Sequence, residues 1–182
     1  YISTSEHTAA LSSEPGVGVD WTTYWSLHSV FNVVDILDNF AAQYPDWADQ
    51  DFQIVGFAWF QGHKDGGEQG SGTAGVAATR YETNLVQLIK ALREEFDAPK
   101  AKFVCATLGQ TKKGAGGNEG KILNAMFAIS DPEKHPELKG DVATVDSNPL
   151  SMGGSSNGHY GGNAETYMNV GEAMGGAMVK LL

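Results

Sequence analysis

The sequence predicts an α/β protein, in which a parallel β-sheet carries helices on both faces to form a three-layer α/β/α sandwich. Short, nearly all-apolar segments alternate along the chain with longer segments whose apolar residues recur every three or four positions. Short apolar runs are typical of buried parallel strands, and the wider spacing is typical of amphipathic helices. No internal repeat contradicts this order of elements.

The N-terminal part predicts a loop followed by a helix. Residues 1–20 are rich in Ser, Thr, Gly and Glu and include Pro15-Gly16, so we expect a loop or connection with little regular structure. From Thr22 to Tyr44 the apolar positions mostly step by three or four, and Pro45 ends the pattern. This spacing predicts a helix.

The remainder predicts three strand-helix units. The strands are expected at 52–60, 102–108 and 141–145, and the helices at 81–96, 122–129 and 163–182. The first strand has the unbroken apolar character of a central strand. Asp131-Pro132 ends the second of these helices.

Composition excludes several classes of partner. The chain has 182 residues, which suffice for one domain with a substantial core, and no apolar stretch approaches the ~20 residues that cross a bilayer. A net charge of −10 would repel nucleic acid, and the twelve basic residues form no stripe. We therefore expect neither nucleic-acid binding nor membrane insertion.

Cys105 lies in an apolar run, which predicts a buried side chain and not a reactive thiol.

Sites for a nucleotide or a metal ion are disfavoured. The loop 109–116 is glycine-rich, but it lacks both the Lys-Ser/Thr pair of a phosphate-binding loop and the third glycine of a dinucleotide fingerprint. The five histidines are scattered, whereas a zinc site needs closely spaced ligands. His135 lies in a charged turn, which predicts a solvated surface residue.

The segment Gly56–Asp65 is the strongest indication of a functional site. Its apolar run ends at Gln61-Gly62, and three titratable side chains follow in His63-Lys64-Asp65. In open α/β sheets, ligands bind just beyond the carboxyl ends of the strands. The sequence therefore predicts an active-site loop over 61–65.

His159 is a second candidate. It lies in a loop between the last predicted strand and the last helix, where catalytic bases often occur. A histidine can take a proton from a hydroxyl nucleophile if an acceptor orients its other ring nitrogen. The alternative is a loop histidine bonded to the main chain, and the residues alone leave both possibilities open.

Three segments together resemble a known family. The segment Gly56–Asp65 resembles the Trp-x-Gln-Gly block of the sialate O-acetylesterase-like branch of the SGNH hydrolases. Tyr81–Leu85 with Leu92-Arg93 is similar to the helix that follows that block, and 159–167 resembles the histidine block. The three blocks occur in the same order as in the family over about residues 50–182.

The resemblance implies a flavodoxin-like fold and hydrolysis of acetyl esters on carbohydrates through a serine acyl-enzyme. It implies that Gln61, with Gly62, contributes to the oxyanion hole and that His159 is the general base. No metal or organic cofactor is expected. The family also implies an extracytoplasmic or secreted location, although the chain contains no signal peptide.

Two departures from the family concern the nucleophile and the acid. The Gly-Gln-Ser-like block of the family does not occur here, and no apolar strand precedes the N-terminal serines Ser3, Ser5, Ser12 and Ser13. We therefore expect the nucleophile outside this chain, and residues 1–182 to form a single domain that is the C-terminal part of a longer esterase domain. The family's carboxylate, three residues before the histidine, is replaced by Ser156.

Two carboxylates remain as candidates for the catalytic acid. Asp146 ends the third predicted strand, and Glu165 begins the last helix, where a negative charge is favourable in any case. A protein of another class would also fit the sequence: a non-catalytic carbohydrate-binding or assembly module that keeps the fold and lacks the triad.

Overall fold

The computed structural model describes residues 2–3, 25–26, 35–66, 75–152 and 160–182. The chain divides into two compact units, Tyr1–Gln53 and Ile54–Leu182.

The first unit corrects the prediction for the N-terminal part. Ile2–Ser3 and Trp25–Ser26 are two-residue strands that pair antiparallel, so the predicted helix does not extend through 25–26. Aromatic and β-branched residues suit strands as well as helices, and periodicity over a short stretch does not separate the two. The end of the predicted helix is confirmed by helical residues at 35–38 and at Phe40–Gln43, while residues 1, 4–24 and 27–34 lie outside the described residues.

The second unit contains the predicted strand-helix units. Its strands are β1 (Gly56–Trp59), β2 (Lys102–Ala106) and β3 (Val142–Val145). Its long helices are α1 (Val76–Glu95), α2 (Gly117–Ala128) and α3 (Ala164–Leu181). The strands are parallel in the order β1-β2-β3, which confirms the α/β fold.

The three layers are visible in the alternation along β2. Phe103 and Cys105 belong to a buried cluster with side chains of α1 and α2, whereas Val104 and Ala106 pack with Val170 of α3. Successive strand residues point to opposite faces of a sheet. The sheet is therefore covered by α1 and α2 on one face and by α3 on the other, as predicted.

The strand β1 differs from its prediction in length and position. It spans four residues where nine were expected, and its ladder to β2 begins where Lys102 N donates to Val55 O at 2.9 Å. Within the described residues β1 pairs with β2 alone, so β2 is the central strand and β1 lies at the end of the sheet. Ala58 of β1 is accordingly exposed.

Two further predictions concern single side chains. Cys105 is fully buried, as expected, and burial raises the pKa of its thiol to about 12. His135 is only partly solvated: its side chain is 16% exposed, and its two ring nitrogens lie 3.0 Å from Glu82 Oε1 and 3.1 Å from Glu137 Oε1. The sequence separation from Glu82 in α1 hid this arrangement.

None of the helices that the structure describes has both the length and the apolar character needed to cross a membrane.

Candidate active site

Gln61 follows β1 by two residues, and its side chain is held by a neighbour four residues later. The chain turns helically over His63–Gly66, with Gly66 N donating to Gly62 O at 3.2 Å. This turn brings Asp65 back to Gln61, whose Nε2 donates to Asp65 Oδ2 at 2.6 Å. The hydrogen bond to an ionised carboxylate is of the stronger kind.

Tyr81 of α1 contacts Gln61 through its hydroxyl group. The side chain is buried, and its hydroxyl lies 2.7 Å from the main-chain oxygen of Gln61 and 3.2 Å from Gln61 Oε1. Trp59 Nε1 donates to the same hydroxyl at 3.2 Å. Burial raises the pKa of Tyr81 far above its ordinary value, so the hydroxyl keeps its proton and acts as a donor to Gln61.

These contacts distinguish the two ends of the Gln61 amide. Oε1 faces a hydroxyl donor and Nε2 faces a carboxylate, so each end meets a group of complementary character. The reverse orientation would place an amide oxygen against the carboxylate of Asp65. Because Nε2 has two N–H groups and Asp65 accepts one, the second can meet an external oxygen.

Gly62 is required by its conformation and its surroundings. Its φ is +137°, in a region that L side chains rarely adopt. A Cβ at this position would lie 2.8 Å from Met126 Cε and 3.0 Å from the Tyr81 hydroxyl. The chain can therefore turn from Gln61 into the following helical residues only if position 62 has no side chain.

The histidine segment is described from Tyr160 onward. His159 and Ser156 lie outside the described residues. The ring of Tyr160 stacks on the ring of Phe60, with centroids 6.2 Å apart and planes inclined by 13°. Phe60 is the chain neighbour of Gln61 and Tyr160 is the chain neighbour of His159. The stack therefore brings together the two segments from which the candidate catalytic residues come.

Two further contacts fix Tyr160. Its hydroxyl accepts from Gly109 N at 3.2 Å and donates to Gln110 Oε1 at 3.3 Å, which ties it to the loop after β2. Its φ of +59° is a left-handed conformation that is unusual for a bulky residue and costs on the order of 1 kcal/mol or more. The packing therefore holds Tyr160 in a conformation that it would rarely adopt alone.

The two acid candidates differ in their surroundings. Asp146 follows β3, and its carboxylate pairs with Lys113 Nζ at 3.2 Å and accepts from Asn148 N at 3.2 Å. Glu165 is exposed in the first turn of α3, which Asn163 caps by accepting from Thr166 N at 2.7 Å. Asp146 is thus already engaged by a cation, whereas Glu165 has the exposed position typical of a helix N-terminus.

The described serines of the second unit have structural roles. Ser130, Ser147 and Ser151 each donate their hydroxyl to a main-chain oxygen, of Phe127, Thr107 and Ser147 respectively. Ser147 is also fully buried. A hydroxyl that donates to a carbonyl has no base to activate it.

Sequence reasoning missed the roles of Asp65 and Tyr81. The four-residue spacing of Gln61 and Asp65 was a usable signal, because a helical turn places such residues side by side. Tyr81 was assigned only to the predicted helix 81–96 and to the second block of the family resemblance. Its hydroxyl, a polar group on a buried face, was the signal that it bonds to something specific.

The sequence is similar to a known protein family. The family model for the carbohydrate esterase, sialic acid-specific acetylesterase matches residues 25–180. A comparison with curated proteins found no match. An X-ray structure of a protein from Arabidopsis thaliana is similar at 17% sequence identity and a TM-score of 0.49, over 79% of this chain and 52% of that one. The chain thus spans about half the length of this solved relative.

The family match covers most of the sequence, including β1, the candidate site and nearly all of α3. The chain therefore belongs to the carbohydrate esterase, sialic acid-specific acetylesterase family.

Proposed function

We propose that this protein hydrolyses acetyl esters on carbohydrates of the sialate type through a serine acyl-enzyme. The observation that carries the proposal is the stack of Phe60 on Tyr160, since it joins the segment of Gln61 to the segment of His159. Membership of the esterase family supports the same reaction. In this proposal residues 1–182 belong to one esterase domain, and the nucleophile lies outside them.

In the proposed reaction His159 takes the proton of the nucleophilic serine as its oxygen attacks the acetyl carbonyl. The second Nε2–H of Gln61 donates to the carbonyl oxygen as negative charge develops on it, and such a donor contributes about 3 kcal/mol to lowering the barrier. Gly62 allows the turn that presents this donor. The sugar alcohol leaves with the proton from His159. Water then attacks the acetyl-serine, His159 takes a proton from it and returns the proton to the serine oxygen, and acetate is released.

Glu165 is the preferred acid partner of His159 in this proposal. The carboxylate of Asp146 is already paired with Lys113, which reduces its capacity to stabilise an imidazolium. Glu165 belongs to the stretch that follows the histidine and has an exposed side chain. Replacing each carboxylate by its amide in turn separates the two candidates, because loss of the acid lowers kcat severely whereas loss of a structural carboxylate does not.

The second candidate function is a non-catalytic carbohydrate-binding or assembly module. It is favoured by the engagement of Ser130, Ser147 and Ser151 with main-chain oxygens and by the missing Gly-Gln-Ser-like block. Such a module would bind an acetylated sugar without releasing acetate.

The deciding experiment combines turnover with labelling of the nucleophile. The full-length protein is assayed with an aryl acetate and with O-acetylated sialic acid, then treated with a fluorophosphonate and mapped by mass spectrometry. The proposal expects acetate release and a label on a serine outside the 182 residues. A label on a serine within them would show that the nucleophile is misplaced. Sugar binding with neither label nor acetate release would favour the non-catalytic module.

A further inference from the structure

The hydroxyl of Tyr81 makes hydrogen bonds to Gln61 that packing in the core does not require. Its side chain packs in the cluster between α1, α2 and the sheet, yet its hydroxyl reaches both the main-chain oxygen and the side-chain oxygen of Gln61. A phenylalanine would fill the same apolar space. The hydroxyl therefore serves the polar contacts and not the packing.

The bonds around this hydroxyl have a defined direction. Trp59 Nε1 is a donor only, so the Tyr81 oxygen accepts from it and must direct its own proton elsewhere. The oxygens of Gln61 are the acceptors within reach. Since burial raises the pKa of Tyr81 far above its usual range, this proton stays in place over the whole physiological range.

The consequence is a chain of donors ending at Asp65. Trp59 donates to Tyr81, the Tyr81 hydroxyl lies 2.7 Å from the main-chain oxygen of Gln61 and 3.2 Å from Gln61 Oε1, and Gln61 Nε2 donates to Asp65. The contact with Oε1 is the one that bears on the direction of the Gln61 amide. The exposed end carries the amide that the proposed function places at the oxyanion, and the buried end lies in the core, where side chains have little freedom.

We propose that Tyr81 is a positioning residue, which acts through Gln61 by fixing the direction of its amide. This inference rests on the proposed function for its effect on catalysis, although the effect on the Gln61 amide stands independently of it. A donor fixed before the reaction stabilises developing charge without having to reorient. A rotating amide would present its oxygen to the substrate part of the time.

The first test is spectroscopic and needs no activity. In the full-length protein labelled with ¹⁵N-glutamine, the side-chain amide signals of Gln61 are identified by their loss in Gln61→Leu. Tyr81→Phe is expected to shift these signals and to speed their exchange with water. The control is Ser130→Ala, which removes the 3.1 Å bond from Ser130 Oγ to Phe127 O near the C-terminal end of α2.

The second test separates positioning from general stability. Tyr81→Phe is expected to lower kcat about tenfold with little change in KM, since loss of orientation affects the transition state more than the bound substrate. In a Gln61→Ala background the same substitution should have no further effect, because the group through which Tyr81 acts is gone.

Two results would overturn the inference. One is a folded Tyr81→Phe protein whose Gln61 amide signals match those of the wild type. The other is an equal loss of kcat in both backgrounds, which would make Tyr81 merely structural. If the esterase proposal itself fails, acetate release is absent in every variant while the amide signals still report on Tyr81. Should Tyr81→Phe not fold, Trp59→Phe removes the preceding donor and is expected to give a smaller change of the same signals.

Discussion

The ring of Phe60 stacks on the ring of Tyr160 at a centroid distance of 6.2 Å. These residues are a hundred positions apart, and each is the immediate neighbour of a candidate catalytic residue. Tyr167 packs edge-on against both rings, at 6.5 Å from Phe60 and 5.7 Å from Tyr160. The aromatic cluster thus forms the structural connection between β1 and the start of α3.

Removing the ring of Tyr160 should therefore reduce activity without unfolding the protein. Tyr160→Ala is expected to lower kcat/KM of the full-length protein tenfold or more, because small displacements of catalytic groups have large effects on rate. Tyr160→Phe keeps the stack and loses only the bonds to Gly109 and Gln110, so its rate should stay within a few-fold of wild type. Equal rates for Tyr160→Ala and wild type in the aryl acetate assay would remove the role of this cluster.

Gln61→Ala is expected to lower kcat by about 10²–10³-fold, as for the loss of other oxyanion donors. The matched control is Gln87→Ala, which truncates an exposed glutamine on α1 and should leave kcat unchanged. Steady-state kinetics on both variants measures the difference. A loss confined to KM would mean that Gln61 binds substrate equally in the ground state and the transition state.

Gly62→Ala should destabilise the protein through backbone strain. The positive φ is strained for any L side chain, and a methyl group would displace the end of the Met126 side chain or the loop itself. We expect a loss of about 1–3 kcal/mol in the free energy of unfolding, measured by urea denaturation. Gly114→Ala is the control, since its φ is also positive, at +83°, while no atom lies within 4 Å of its Cβ. Equal losses in both variants would assign the effect to φ alone.

The His135 cluster predicts a pH dependence of stability. Desolvation alone would lower the pKa of His135, but the hydrogen bonds and charges of Glu137 and Glu82 outweigh it, so the pKa is raised above its ordinary value. The imidazolium is thus favoured in the folded state. Its stabilisation is complete below the unfolded pKa of about 6.5 and is lost as the pH rises through the folded pKa.

Glu137, which pairs with His135, sets the lower pH limit of this stabilisation. The pKa of Glu137 is lowered by its bond to His135, so its contribution is present above the unfolded pKa and is lost as the pH falls through the folded pKa. Lys90 also favours the ionised form of Glu137.

Urea denaturation between pH 5.5 and 8.5 should show that the free energy of unfolding falls as the pH rises. Glu82→Gln should weaken this dependence on pH, whereas the control Glu133→Gln should not. An identical slope in Glu82→Gln would contradict the assignment.

The sequence predicted the fold best where periodicity and burial agree. Helix α1 and strand β2 lie where their apolar patterns predict them, because α1 buries one stripe of side chains and β2 is buried on both faces of the sheet. Trp25–Ser26 was predicted to be helical and forms a strand, since pairing with a distant segment decides the conformation of so short a stretch.

The candidate site was predictable only in part, for a related reason. Gln61 was found from the abrupt end of its apolar run, which is a local feature. The hydroxyl of Tyr81, twenty residues away, and the glutamates around His135 depend on how α1 packs, and no local pattern encodes such contacts. The ion pair of Asp146 with Lys113 could not be predicted either, because Lys113 comes from the loop after another strand.

The role of His159 as general base is tested most directly by the steady-state rate of His159→Ala in the full-length protein, measured together with its thermal midpoint. His159→Ala is expected to lower kcat by several orders of magnitude, because a serine hydroxyl without a proton acceptor is a poor nucleophile near pH 7. The thermal midpoint should stay within a few degrees of wild type. Near-normal activity with a large loss of stability would contradict the account and make His159 a structural residue.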